Sequence, residues 1–342
     1  MMDEKIAPIL GIGNTPMRDI SLLIRGVWRT ISLKLESCNP SGSSKDRTAQ
    51  ALVADIERRG MLTLSSTIVE SSSGNLGVSL AYVCKELGYR FLAVIDPKTT
   101  REMRSRMHAL GARIEIVDKV DETGGYLLSR LKRVSELCSE SPNYVWTDQY
   151  SNPANPVAHY HSTAPEIFLQ SDRQLDAIFV AVSTGGTFAG IERYFQQASP
   201  ATKIIGVDAV GSVIFGGSPG PRKLTGIGSA RLSPFIGSGR VCLHRMVADQ
   251  DAFAVCRQLD HDINLRLGGS GGAVVFACAQ TLAENMEMDK IVCICADGGK
   301  NYESTIYSNE WLEANHFDPS YRVPVIAAVA ESASSGASVR RS

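Results

Sequence analysis

The chain has 342 residues, of which 44% are hydrophobic and 21% charged, and its formal net charge is −1. That length suits two domains with a substantial core, and the composition is ordinary for a globular protein. The charge balance argues against a nucleic-acid face or a polybasic membrane anchor, no apolar stretch reaches membrane-spanning length, and the opening MMDEKIAPIL lacks the pattern of a secretory signal.

Short apolar runs alternate with amphipathic segments along the chain. A strand WRTISLKLE (28–36) leads to a helix at 46–59, a strand TIVE (67–70) to a helix at 76–88, and RFLAVID (90–96) to a helix at 100–110. ARIEIVD (112–118) is followed by helices at 125–139 and 155–170, DAIFVAVS (176–183) by one at 187–198, and KIIGVD (203–208) by helices at 250–265 and 272–286. KIVCICAD (290–297) is the last strand, and residues 326–342, small and polar with a basic end, are expected to form a disordered tail. Several strands are rich in Val and Ile and apolar on both faces, as buried parallel strands are. The rhythm implies an α/β fold of parallel sheets covered by helices, with ligands bound beyond the carboxyl ends of the strands.

The eight cysteines show no C-x-x-C spacing and read as buried or free thiols, in keeping with a reducing cytosol. His159 and His161 do not share a helix face and no further residues complete a zinc pattern, so structural or supporting roles and no metal are expected.

Four segments fall where a strand gives way to a helix. In NPSGSSKDR (39–47), Pro40 and Gly42 make a turn and Ser43 or Ser44 can cap the next helix, placing Lys45 in its first turn. A cation is disfavoured there by the helix dipole, which suits the amine to imine chemistry; a solvated loop lysine is the plainer alternative. ESSSGNLG (70–77) presents the hydroxyls of Ser71, Ser72 and Ser73 and the backbone of Gly74 at a helix start, an anion site or an ordinary capped turn. VSTGGTFAG (182–190) offers a second anion cradle in Ser183, Thr184, Gly185, Gly186 and Thr187, and it is neither a Walker A loop nor G-x-G-x-x-G. LGGSGGAVV (267–275) sets Ser270 between glycines, as a cap or as a partner for a buried ring. Two phosphate-type cradles, a turn lysine and a Gly-flanked serine suit a phosphorylated cofactor with an imine function, which pyridoxal phosphate provides.

Together, PSGSSKDR, SSGNLG, QYSNPAN, STGGT and GGSGG in this order resemble the fold-type II pyridoxal-phosphate enzymes, within them the cysteine synthase and cystathionine β-synthase group, from GNTPM (13–17) to ADGGKNY (296–302). The resemblance implies two three-layer domains with the cofactor between them: a smaller mobile one over 46–155 and a larger one from 1–45 plus 156–325. It implies Lys45 as the Schiff-base lysine and Asn75 at the cofactor's 3′-oxygen. Residues 183–187 would hold the phosphate and Ser270 would face the pyridine nitrogen. Ser72, Ser73, Gly74 and Gln149 would clamp the substrate carboxylate. A neutral hydroxyl at the ring nitrogen makes the cofactor a weaker electron sink, which favours β-elimination over transamination.

Leu76 stands where the group commonly has threonine, Ser183-Thr184 where it has Gly-Thr, and Ala296 where it has proline. TGGYLLSR (123–130), the 146–167 segment, VDAVGSVIFG (207–216), LTGIGSARL (224–232) and SNEWLE (308–313) instead resemble a narrower set, the N-(2-amino-2-carboxyethyl)-L-glutamate synthases. These join O-phospho-L-serine to L-glutamate on the way to 2,3-diaminopropionate, a precursor of siderophores and peptide antibiotics. By that likeness Arg130 selects the phosphoserine, and Tyr150 and Ser183 help to position the amino acid. A guanidinium suits a dianionic leaving group physically as well, although a solvated helix arginine is the alternative. The rival expectations are an O-acetylserine or O-phosphoserine sulfhydrylase, and a cofactor-binding pseudoenzyme acting as a regulatory partner. A nicotinamide dehydrogenase lacks its glycine fingerprint. A cytoplasmic homodimer is expected by the resemblance.

Overall fold

The computed structural model describes residues 11–63, 65–122, 124–236, 242–284 and 287–332. The described residues form two compact units, one of Asn39–Ala158 with Gly11 and Ile12, the other of Gly13–Cys38 with residues 159–332.

It begins in the second unit with a hairpin of β1 (Met17–Ile24) and β2 (Val27–Leu35), paired antiparallel with Ile20 opposite Ile31. Arg25 and Gly26, both at positive φ (49° and 77°), form the two-residue turn whose twist matches such strands. The first unit follows: α1 (Lys45–Arg58), β3 (Thr67–Ser71), α2 (Asn75–Leu87), β4 (Arg90–Ile95), α3 (Arg101–Ala109), β5 (Arg113–Ile116), α4 (Leu127–Glu140), β6 (Tyr144–Trp146) and α5 (Ala154–His161), in which the boundary falls. Its four strands run parallel in the order β5-β4-β3-β6. Leu52 and Ile56 of α1 and Leu80 and Val83 of α2 pack on Ile68 and Phe91, while Val134 and Leu137 of α4 cover Val69, Leu92 and Val94 on the other face. Successive strand residues point to opposite faces, so β3 and β4 need apolar side chains almost throughout.

The second unit resumes with α6 (Thr163–Gln170), β7 (Ala177–Ala181), α7 (Gly186–Ala198), β8 (Lys203–Ala209), β9 (His244–Val247), α8 (Asp249–Ile263), α9 (Gly269–Glu284), β10 (Ile291–Cys295), α10 (Asn309–Ala314) and β11 (Ala328–Glu331). The sheet order is β11-β1-β2-β10-β7-β8-β9, parallel except where β1 meets its two neighbours. Phe179 and Cys293 face α8 and α9, whereas Ile178, Val180, Val292 and Ile294 face α6 and α7.

Three expectations are corrected. The single helix expected over 155–170 is two, α5 and α6, because Pro165 has no N–H to give to the turn before it and is tolerated only in a first helical turn. Residues 328–331 are not part of a disordered tail: β11 pairs with β1, Leu22 opposite Val329, and Arg18 bonds Glu331, so the strand covers an otherwise open edge. Residues 333–342 lie outside the described residues. Lys45 belongs to the first unit rather than ending the larger domain, since Ser41 is tied to Asp46 of α1 and to Ser79 of α2.

The cysteines are free thiols, and burial pushes those of Cys84 and Cys256 up to about 12, where they are inert. Among the described residues no helix is long and apolar enough to cross a membrane, and no cluster of His, Cys, Asp and Glu could hold a metal ion.

Candidate active site

In the first unit, α1 begins at Lys45 itself, which is half-buried. The turn ahead of it is locked from inside: Gly42 sits at φ +83°, and the Asp46 carboxylate accepts from Ser41 N–H (2.7 Å) and from the Ser41 hydroxyl. Ser41 Oγ lies 2.9 Å from Ser79 Oγ, and its carbonyl accepts from Arg106 Nη2 (2.5 Å). Ser44, at the N-cap position, makes no side-chain cap, while Ser43 Oγ accepts from Lys45 N–H at 3.3 Å. Asp46 therefore fixes the backbone from which the lysine projects.

The first anion loop leaves β3 and enters α2 at Asn75, with Gly74 as an N-cap that has no side-chain cap bond. Ser72 Oγ accepts from Gly77 N–H at 3.0 Å, so this hydroxyl partly caps α2 and keeps its own proton to donate. Ser73 is different: its hydroxyl donates to Asp96 Oδ2 (2.6 Å) and accepts from Arg130 Nη1 (2.5 Å). Arg130, in the first turn of α4 and 9% exposed, is thus brought onto the loop of Ser72–Gly74. Gln149 also reaches this loop, its Nε2 donating to Ser71 O at 3.1 Å, and Tyr150 beside it is half-buried. Behind them stands Glu70, fully buried, whose carboxylate accepts from Thr147 Oγ1 (2.6 Å), Gln149 N–H (3.1 Å), Trp146 Nε1 (3.2 Å) and Ser71 N–H (2.8 Å). Burial opposes its ionisation and the four donors favour it, leaving its pKa raised to about 7.

In the second unit, Ser183–Thr187 joins β7 to α7. Gly185 is the N-cap at φ +90°, without a side-chain cap bond, so the first-turn N–H groups of α7 are left to an anion. A loop further on backs the segment: Gly228 N–H donates to Val182 O (2.7 Å), Ser183 Oγ donates to Gly228 O (3.4 Å) and Ser233 Oγ to Thr184 O (2.6 Å). His159, fully buried, lies with Nε2 3.1 Å from Thr187 Oγ1 and Nδ1 2.9 Å from Thr163 Oγ1. This is a supporting role of the kind expected for it, and the contacts name its partners. Ser270 is buried in the first turn of α9, next to Gly268, whose N–H donates to Asp297 O (3.2 Å). Asp297 Oδ2 in turn accepts from Tyr302 Oη (2.6 Å).

A Cβ on Gly185 would lie 2.2 Å from Ser233 Oγ and 3.3 Å from Ile236 Cγ1, at a φ that L-residues rarely adopt. Gly185→Ala is therefore expected to weaken cofactor binding by roughly tenfold or more, since strain of this kind costs about 1–3 kcal/mol. Titrating the apoprotein with pyridoxal phosphate, followed by absorbance, measures it.

The donor chemistry fits pyridoxal phosphate: an uncapped helix N-terminus with hydroxyls for the phosphate, a half-buried lysine amine for the aldehyde, and a buried neutral hydroxyl for the ring nitrogen. A model of the pyridoxal-phosphate-dependent enzyme family matches residues 9–297, and the chain belongs to that family. Within it, the chain is 40% identical over 301 residues to an N-(2-amino-2-carboxyethyl)-L-glutamate synthase of Ralstonia nicotianae, covering 88% of this chain and 89% of that one. It is 38% identical over 307 residues to the enzyme of the same name from Cupriavidus metallidurans, covering 89% and 90%. Among solved structures, the O-acetylserine-dependent cystathionine β-synthase of Helicobacter pylori superposes with a TM-score of 0.79 at 31% identity, over 88% of this chain and all of the other. The chain is thus a fold-type II pyridoxal-phosphate-dependent enzyme of the cysteine synthase family.

Proposed function

We propose that this enzyme replaces the phosphate of O-phospho-L-serine with the α-amine of L-glutamate, giving N-(2-amino-2-carboxyethyl)-L-glutamate and phosphate on the route to 2,3-diaminopropionate. The observation that carries it is Arg130: a buried guanidinium bonded to Ser73 on the loop at the start of α2. The relatives named above support the acceptor. A homodimer working in the cytoplasm belongs to the same proposal.

Pyridoxal phosphate, when bound, supplies the electron-withdrawing system that acidifies the α-carbon of the amino acid joined to it. Residues 183–187 would hold its phosphate, Asn75 its 3′-oxygen and Ser270 its ring nitrogen. Lys45, which anchors it, takes the α-proton at Nζ and returns it after the exchange at Cβ. The Cβ–O bond breaks with its electron pair leaving on phosphate, and the Cβ–N bond forms from the lone pair of the glutamate amine. The substrate carboxylate is held by the N–H groups opening α2, the Ser72 hydroxyl and Gln149, while Tyr150 and Ser183 orient the amino acid. Arg130 offers the departing phosphate a charged donor.

The test mixes holoenzyme with O-phospho-L-serine, follows the visible spectrum, then adds L-glutamate. Phosphate release together with the adduct's mass is the expected result. Turnover only with O-acetyl-L-serine and sulfide would make the protein a cysteine synthase. No spectral response to either serine donor would leave a pseudoenzyme.

A further inference from the structure

We propose that Asp96 is a positioning residue that sets the choice of leaving group by holding Arg130, an inference that rests on the function proposed above. Asp96 follows β4 directly, at the carboxyl end of a parallel strand, and is buried with 6% of its surface exposed. Its Oδ1 accepts from Lys98 N–H (2.9 Å) and its Oδ2 from the Ser73 hydroxyl (2.6 Å). Arg130 Nε lies 3.3 Å from the same Oδ2, within ion-pairing distance yet without a hydrogen bond, and Arg130 Nη1 donates to Ser73 Oγ at 2.5 Å. Asp96, Ser73 and Arg130 therefore close a triangle.

Two consequences follow from counting protons. The single hydroxyl proton of Ser73 is given to Asp96, so Ser73 serves a substrate carboxylate through its backbone rather than its side chain. The guanidinium is held at Nη1 by Ser73 and lies with Nε beside the Asp96 carboxylate, while its Nε–H is left without a hydrogen bond. A planar fork held at one nitrogen and by a counter-charge keeps its remaining donors in a restricted orientation, which is what a phosphate needs and an acetyl group does not use. A buried guanidinium deprived of its counter-charge has every reason to swing toward water. Removing Asp96 should therefore cost recognition of a phosphate leaving group selectively.

The experiment compares Asp96→Ala, Asp96→Asn and Arg130→Ala holoenzymes with the parent, using O-phospho-L-serine or O-acetyl-L-serine as donor and L-glutamate as acceptor. Asp96→Ala should lower kcat/KM for the phosphoserine by about tenfold or more, chiefly through KM, the worth of one charge-assisted contact. With the acetylserine the loss should be no more than about threefold. Asp96→Asn, which keeps one acceptor for either Ser73 or Lys98, should fall between, and it carries the test if the alanine variant does not fold. Equal losses with both donors would make Asp96 merely structural and overturn the proposal, as would no loss with either. If Arg130→Ala leaves the preference for phosphoserine intact, the leaving group assigned under the proposed function is wrong, and the role of Asp96 falls with it whatever its own variants do.

Discussion

Lys45→Ala is expected to lower turnover by roughly a thousandfold or more while leaving the fold intact, because one amine both anchors the cofactor and moves the α-proton. The fold should survive because the structural work around Lys45 is done by its neighbours. Asp46 binds Ser41, Ser41 meets Ser79, and Arg106 binds the Ser41 carbonyl. Lys45 itself begins α1, where a positive charge is opposed by the helix dipole, so alanine there relieves a small electrostatic cost. Steady-state rates with O-phospho-L-serine and L-glutamate, alongside a urea titration, separate the two effects. An added small primary amine should recover part of the rate. Turnover within about tenfold of the parent would remove Lys45 from the chemistry.

The alternation of strands and helices was legible because it follows from burial on both faces: β3 and β10 are buried at every position, and such runs stand out in the sequence. What escaped was shorter or half-solvated. β1 carries a polar pair, Arg18 and Asp19, one on each face, β6 is three residues long, and β9 opens with His and Arg, so none offers a long apolar run. β11 hid in a stretch of small residues whose only recommendation is its pairing with β1.

In the candidate site, the turn lysine and the glycine-rich loops stand out in the sequence as local patterns, whereas Arg130 stands out only through the family resemblance. The site was illegible where a residue acts through distant contacts. Ser73 meets Asp96 across 23 positions and Glu70 meets Thr147 across 77. The one available signal was a carboxylate closing an otherwise apolar strand, in TIVE and in RFLAVID, at the end where parallel sheets place their ligands.

Glu70→Ala is expected to destabilise the protein by roughly 3–5 kcal/mol, since each buried donor left without an acceptor costs about 1–3 kcal/mol and some of the four can turn elsewhere. Glu70→Gln keeps the shape and isolates the charge. With the native pKa raised to about 7 from an ordinary 4.5, the folded protein retains a proton that the unfolded chain has already released. The stabilisation this proton represents is complete below about pH 4.5 and is lost as pH rises through about 7, at most about 3 kcal/mol. Relative to Glu70→Gln, the parent should thus become less stable over that window and level off above it, as read by urea titrations at several pH values. Activity should run the other way. The ionised carboxylate accepts from Thr147 and from Gln149 N–H at one oxygen, whereas protonation of that oxygen makes Thr147 the acceptor and weakens the bond from Gln149 N–H. The segment bearing Gln149 and Tyr150 would then loosen, raising KM for the serine donor below about pH 7 in the parent but not in Glu70→Gln. Parallel pH profiles for the two proteins would dissociate Glu70 from the site. Opposite slopes for stability and KM would mean that one ionisation costs the fold what it gives to substrate binding, which is reason enough for a carboxylate to persist in the core of β3.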